Sequence, residues 1–333
     1  MEFIIRNNAC RKLTAIVTTA LKLDIMRKSI TLISIMLTAF TFCNELSGQE
    51  QKVVLKGEYI GQQEPKLQSE IFAPGIVSKV DEYEFGSVFS KDGNEFYYGV
   101  DVQGKAEIRY MIRIDNKWSE SKKINFNENY SYNDPFLSPD GNKLYFISDM
   151  PLNGLGDKKD IDIWYAKRKG ESWSEPINAG KMINSEKDEY YISFSKEGTI
   201  YFASNAETTD STKWNFDIYY SEFKEGAFQK PIRMSDSINT TGYEADVFIS
   251  PDESYIIFCS FRSSGLGKGD LYVSFKENNE WSKAVNMGES INTEGHELCP
   301  FVTVDGKYFF YTSNKDIYWI DTKILENYRS NSR

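Results

Sequence analysis

One phrase recurs five times in this chain, and that repetition constrains its fold more than any other feature. Each copy has a tight turn, an apolar strand closing on a small or polar residue, an acidic residue ahead of an aliphatic–aromatic pair, and then an aromatic-led segment. The turns are Asp92-Gly93, Asp140-Gly141, Glu197-Gly198, Asp252-Glu253 and Asp305-Gly306. The acidic markers are Glu107, Asp162, Asp217, Asp270 and Asp316, and the aromatic markers are Trp118, Trp173, Phe228 and Trp281, with none in the fifth copy. Over the first four copies both markers step by 55, 55 and 53 residues. A fixed period of this length means stacked supersecondary units, none of which can bury its apolar faces alone.

The copy at residues 132–178 shows what the unit is. Tyr132–Ser138 reads as a short strand ending at Pro139-Asp140-Gly141, where glycine permits the positive φ of a tight turn. Lys143–Ser148 is a second strand and Asp162–Ala166, after a long polar loop, a third. A turn at 168–171 leads to a fourth at Trp173–Ile177, where Pro176 is tolerated because an outermost strand has a free edge. Four antiparallel strands per repeat make the blade of a β-propeller. The second strands, such as Leu144-Tyr145-Phe146 and Phe309-Phe310-Tyr311, are apolar at consecutive positions. Strands buried on both faces read this way, as blades packed face to face require.

The fifth copy stops after Asp316–Ile320 and has no fourth strand. The segment Ile71–Ser78 resembles the strand-four exits Asn178–Asn184 and Asn286–Asn292, so it is expected to complete the last blade. The reading is an all-β propeller of five four-stranded blades closed by an N-terminal strand, with a six-bladed ring as the alternative. Its expected organisation is a leader at 1–49, a linker at 50–65, the propeller at 66–322 and a tail at 323–333.

Residues 1–49 carry the basic start Met26-Arg27-Lys28, an apolar run from Ser29 to Phe42, and small or polar residues at Ser47-Gly48-Gln49. That is the pattern of a secretory signal peptide, with Met26 an alternative start, and the run is too short to span a bilayer. Lipidation at Cys43 is disfavoured by the bulky Phe42 before it. A periplasmic or extracellular protein is expected, not an integral membrane protein. These 49 residues hold six basic and three acidic residues, so without them the net charge of −10 becomes −13. An acidic surface of this kind repels phosphate backbones, and no nucleic-acid partner is expected. Only Cys259 and Cys299 remain beyond the leader, which does not make a disulfide framework.

Pro139-Asp140-Gly141 with Lys143–Ser148, followed by Asp162-Ile163-Trp164-Tyr165 and Trp173-Ser174-Glu175-Pro176, resembles the WD40-like β-propeller repeat family of the Pro-Asp-Gly kind. These TolB-like propellers occur in many exported proteins of Bacteroidetes-type bacteria. The resemblance covers about residues 66–320; no Trp-Asp dipeptide occurs, which separates the chain from ordinary WD40 repeats. It implies a binding or scaffolding module.

Antiparallel strands alternate ends, so the loops at 149–161, 205–216 and 261–269 share one face with the entries to the first strands. Function concentrates in such loops on a rigid scaffold, and this face is where a site is expected. The entries carry Tyr83-Glu84, Asp188-Glu189, Tyr243-Glu244 and His296-Glu297, with Tyr132 in the glutamate's place in the second copy. Two residues further on come Gly86, Asp134, Tyr191, Asp246 and Cys299, expected to line the channel one layer deeper. Candidate ligand-binding residues are thus Glu84, Asp134, Glu189, Tyr243, Glu244, Asp246, His296 and Glu297, together with Trp214 in the loop 206–216. Read functionally they make an aromatic funnel with carboxylates for a protein segment or sugar. Read architecturally, the repeated glutamates bond backbone amides of neighbouring blades, while Asp134 and Asp246 break the repeat.

Catalytic and cofactor motifs are missing. His296 is the only histidine, no Gly-x-Ser-x-Gly elbow occurs, and Gly265–Gly269 lacks phosphate-loop spacing. Asp149, Asp157, Asp160 and Asp162 match no EF-hand, so neither a metal nor a cofactor is expected. The expected function is a non-catalytic binding module for an envelope protein or an extracellular glycan. The alternative is a glycoside hydrolase using Asp134, Asp246 and Glu297, since two carboxylates suffice for that chemistry.

Overall fold

The computed structural model describes residues 54–207 and 215–329. The leader segment and Trp214 lie outside the described residues. Five small antiparallel sheets follow one another along the chain, each running from an innermost to an outermost strand. Blade 1 begins with Tyr83–Phe89, Glu95–Val102 and Lys105–Ile114, and blade 2 with Tyr132–Leu137, Lys143–Ser148 and Asp162–Lys169. Blade 3 has Glu189–Phe194, Ile200–Ser204 and Asp217–Ser221, and blade 4 Glu244–Ile249, Tyr255–Ser260 and Asp270–Glu277. Blade 5 has Leu298–Val302, Tyr308–Ser313 and Asp316–Asp321, and its outermost strand is Glu70–Ile71, paired with Trp319 and Tyr318. The molecule is therefore a five-bladed β-propeller closed by its N-terminal strand, as the sequence indicated.

The second strands are buried along almost their whole length: every residue of Ile200–Ser204 and Tyr308–Ser313 is buried. Each lies between two blades, which explains the unbroken apolar runs. Closure is well packed. Phe72, wholly buried, meets Phe89 and Phe96 of blade 1 and Phe310 and Trp319 of blade 5 at centroid distances of 5.0–6.0 Å.

The outermost strands differ from the single continuous strands that the sequence suggested. In blades 1, 2 and 4 each is two short pieces, such as Ser172–Trp173 and Ile177–Asn178. The break follows the Trp-Ser pair, where the serine side chain takes over the ladder. Ser119, Ser174 and Ser282 hydroxyls accept from the backbone N–H of Ile112, Lys167 and Phe275 at 2.9–3.1 Å. In blade 2 the interruption contains Pro176, which has no N–H to offer.

Residues on either side of 66–322 also pack against the blades. Tyr59 and Ile60 are buried, Tyr59 lies edge-on to Phe89 and Tyr308, and Trp118 donates its indole N–H to the carbonyl of Gly57 at 2.8 Å. At the other end Thr322–Arg329 is helical, and the Tyr328 hydroxyl donates to the Met287 carbonyl of blade 4 at 2.6 Å.

Truncating Phe72 removes a wholly buried ring that joins the first and last blades. Phe72→Ala is expected to cost about 3–5 kcal/mol in urea unfolding, whereas Leu152→Ala, on an exposed loop side chain, should stay within about 0.5 kcal/mol. A Phe72→Ala loss below about 1 kcal/mol would mean that closure contributes little to stability.

Candidate functional site

The central channel is built by one type of backbone irregularity, repeated in every blade. Each innermost strand carries a β-bulge, seen as register shifts at Phe85/Ser87, Asn133/Phe136, Tyr190/Ile192, Ala245/Phe248 and Leu298/Phe301. The bulged residues are Gly86, Asp134, Tyr191, Asp246 and Cys299, all with φ between 45° and 53°. Non-glycine residues adopt that conformation at a cost, and bulges turn a side chain out of the regular pleat. These are the five positions that the sequence placed together at one depth of the channel.

They meet across it. The Cys299 thiol of blade 5 lies 3.6 Å from a carboxyl oxygen of Asp134 in blade 2, and the Tyr191 hydroxyl of blade 3 donates to the Pro300 carbonyl of blade 5 at 2.9 Å. Blades 2 and 5 are not neighbours in the ring. They touch because Gly86 of blade 1, between them, has no side chain; a Cβ there would sit 2.9 Å from the Asp134 carboxyl. A second crossing lies nearer the short-turn face, where Phe136 of blade 2 meets Phe301 of blade 5 at 6.0 Å. The channel is thus bridged at two levels.

On the long-loop side of the bulges, burial pushes the Asp134 carboxyl up to about 7. Burial, reinforced by the charge of Asp134, pushes Asp246 up to about 8. No hydrogen-bond donor among the described residues serves the Asp246 carboxyl, and Asp134 has only the weak Cys299 thiol. Tyr83, Tyr190 and Tyr243 lie within electrostatic reach of Asp246, and burial holds their hydroxyls protonated. Tyr190, Phe216, Tyr243, Phe261 and His296 form a continuous aromatic chain with centroid spacings of 4.7–5.6 Å. Asp246, Cys259 and His296 bring three ligand atoms within 4.8 Å of one another, a grouping that no sequence spacing announced.

The glutamates have a different placement. Glu84, Glu189, Glu244 and Glu297 are wholly buried where one blade meets the next. Their backbone N–H groups bond the carbonyls of Lys315, Ile161, Phe216 and Gly269 in the preceding blade at 2.8–3.0 Å. The Glu244 carboxylate accepts from the Thr240 N–H, the Thr240 hydroxyl and the Ser260 hydroxyl at 2.7–2.8 Å. Glu297 repeats this with Thr293 and Ser313, and Glu189 with Ser185 and Ser204. Glu84 lacks both hydroxyls because Lys79 and Val100 stand there; one oxygen is left without a partner, and burial pushes its carboxyl up to about 7. The glutamates therefore present no carboxylate to a ligand, and their donors account for them as architecture. In blade 2 Tyr132 replaces the glutamate by packing on Phe126 and Phe146.

At the short-turn end lies a cavity of about 720 Å³. Val88, Phe136, Phe194, Phe248 and Phe301, one from each blade, form its apolar wall, and the turn residues Lys91, Asp92, Asp140 and Lys196 form its rim. Arg168 on the rim makes a two-point ion pair with Glu95 at 2.8 Å. Sequence reasoning missed this cavity because its wall residues look like ordinary core. The signal was available: Phe136, Phe248 and Phe301 share one offset from the bulge, facing inward in a ring too wide for them to fill.

No family model matches the sequence, and no curated protein matches it. Solved structures of similar fold include TolB from Acinetobacter baumannii, at 13% identity and a TM-score of 0.42. That match covers 71% of this chain and 53% of the other, so the chain spans about half the length of that protein. A protein of unknown function from Dyadobacter fermentans is 14% identical, with 78% and 84% covered and a TM-score of 0.44. The α-L-arabinofuranosidase of Podospora anserina is 11% identical, with 77% and 98% covered and a TM-score of 0.45. These likenesses concern the fold alone, and the blade count rests on the strand pairing above. Among the described residues no helix is long and apolar enough to cross a membrane.

The channel acids give a signed pH dependence. Folded Asp134 holds its proton up to about pH 7, whereas in the unfolded chain it loses it near the ordinary 3.8. Its contribution is fully present below the unfolded value and is lost as pH rises through the folded one, so stability falls across that window. Asp134→Asn should flatten the fall, with a gain at pH 8 on the order of 3 kcal/mol by chemical denaturation in chelator. Glu84 and Glu189, also raised to about 7, titrate in both proteins and cancel in the difference. Parallel curves for variant and wild type would contradict the assignment.

Proposed function

We propose that this chain is a non-catalytic, exported binding module that takes apolar side chains of a protein partner into the cavity at its short-turn face. The observation that carries this is the cavity of about 720 Å³, walled by one apolar residue from each blade. Protein interfaces of useful affinity centre on such pockets, with an anchor side chain inside and a polar rim excluding water. The rim here is of mixed charge, from Lys91, Asp92, Asp140 and Lys196, which favours a partner segment with both signs flanking its apolar anchor. A sugar ring would need an exposed flat aromatic face with hydrogen-bonding side chains beside it. The wall offers aliphatic groups and phenylalanine, and its polar groups are confined to the rim. On this reading the partner binds the face opposite the long loops, not the long-loop face expected from the sequence. Action outside the cytoplasm is supported by the leader pattern at Met26–Gln49.

The hydrolase alternative loses Glu297, whose carboxylate is wholly buried and already bonded to Thr293 and Ser313. A two-carboxylate hydrolase needs one group ionised as base or nucleophile while the other holds a proton. At neutral pH Asp134, pushed to about 7, is about half ionised while Asp246, pushed to about 8, mostly keeps its proton, so the sugar-release assay below decides between the readings.

Val304 is 45% exposed on the cavity rim and can be changed without disturbing the core. Amine-reactive cross-linking of the chain in envelope extract is expected to capture a protein through the rim, and Val304→Arg should reduce capture at least tenfold. Leu152→Ala, on the long-loop face, should leave capture unchanged. Equal capture by wild type and Val304→Arg would refute this site. Sugar release from envelope polysaccharide that disappears in Asp134→Asn would replace the reading with the hydrolase.

A further inference from the structure

Three departures from the repeat meet at the junction of blades 4 and 5. Cys259 stands near the end of a second strand where blade 3 has Ala203 and blade 2 Ile147. His296 stands before the blade 5 glutamate, where blades 1 and 4 have Tyr83 and Tyr243. Gly269 precedes the acidic marker, where the other blades have Ala106, Ile161, Phe216 and Lys315. The absent side chain of Gly269 is what admits the histidine: a Cβ there would collide with the imidazole ring and with Phe261. The ring is then fixed edge-on against Phe261, and the Glu297 N–H is tied to the Gly269 carbonyl at 2.8 Å. The result is a Cys259 Sγ to His296 Nε2 distance of 3.3 Å, with a carboxyl oxygen of Asp246 within 4.8 Å of both.

We propose that Asp246, Cys259 and His296 form a binding site for a thiophilic divalent metal ion of the Zn²⁺ class, with three protein ligands and a fourth position open to the long-loop mouth of the channel. A tetrahedral Zn²⁺ with a bond of about 2.3 Å to sulfur and about 2.0 Å to nitrogen separates those two atoms by roughly 3.5 Å. The thiol and imidazole are thus already spaced as ligands. Asp246 supplies the independent indication. It is more than nine-tenths buried, and no donor among the described residues bonds its carboxyl. An unpartnered buried carboxyl is costly, and a cation compensates for it. Sulfur, nitrogen and one oxygen together suit Zn²⁺ better than the all-oxygen sets preferred by Ca²⁺ and Mg²⁺.

Binding converts the Cys259 thiol to thiolate and the Asp246 carboxyl to carboxylate, with both protons released to solvent; His296 binds as neutral imidazole through Nε2. Two anionic ligands and a divalent ion leave the site with no net charge, which a buried location favours. Nucleophilic use of the pair is disfavoured because Cys259 is wholly buried, and burial holds its thiol protonated. The site lies at the opposite end of the channel from the apolar cavity, so either proposal stands without the other.

The full chain, stripped with chelator and kept reduced, would be titrated with Zn²⁺ by calorimetry and with Co²⁺ by absorbance. One saturating ion is expected, with a thiolate-to-cobalt charge-transfer band and the d–d bands of a four-coordinate ion. Cys259→Ala should abolish the charge-transfer band and weaken Zn²⁺ at least tenfold; alanine fits there because Ala203 holds the same place in blade 3. His296→Tyr, the residue that two other blades carry, should weaken binding similarly. Cys299→Ser should retain both. A folded wild type with no saturable binding would overturn the site. So would a charge-transfer band that survives Cys259→Ala or disappears in Cys299→Ser.

Discussion

The joint between successive blades is the interaction on which the rest of this structure depends. Asn184, Asn239 and Asn292 each accept from the backbone N–H and donate to the carbonyl of one residue in the preceding blade's third strand: Ile163, Ile218 and Leu271, at 2.8–3.0 Å. The next residue, Ser185, Thr240 or Thr293, donates twice to the glutamate that opens the following blade. One short segment thus clamps two blades, and all of its buried polar groups are partnered. At ring closure Ser78 stands in the asparagine's place and accepts from the Ile317 N–H at 3.2 Å. The N-terminal segment is built into the fifth blade by the same joint, in weaker form.

Because the joints fix the blades rigidly, the channel can carry strained residues. Five bulges with left-handed backbone are held at one depth, and the missing side chain at Gly86 lets blades on either side of it meet. Those contacts bridge the channel and leave a chemically different recess at each end. One is bounded by tyrosines, His296 and two acids, and the other by phenylalanine and aliphatic groups.

The repeat made the fold legible. Its period, the turn residues and the doubly buried second strands were enough for blade count and topology, and the likeness of Ile71–Ser78 to the strand-four exits was enough for closure. The candidate site was legible only in part. The depth shared by Asp134, Asp246 and Cys299 followed from register, because every copy aligns. The glutamates were ambiguous, since a carboxylate that bonds hydroxyls four and fifteen or sixteen positions away looks the same in sequence as one that waits for a ligand. The apolar cavity was hidden because its wall is made of residues that elsewhere fill cores. The Asp246–Cys259–His296 grouping was hidden because its members come from three different strands or strand entries, with no spacing that links them.

The N-terminal strand is an integral part of the fifth blade, and the ring is therefore expected to unfold as one. Native-state hydrogen exchange read by mass spectrometry tests this most directly, by comparing the peptide spanning 70–78 with the second strands of blades 2 and 4. The Phe72 amide, bonded to the Ile317 carbonyl at 2.7 Å, is expected to open with the same free energy as those strands. Exchange at 70–78 faster by several orders of magnitude, with the second strands still protected, would show a ring that stands without its closing strand and would contradict the account.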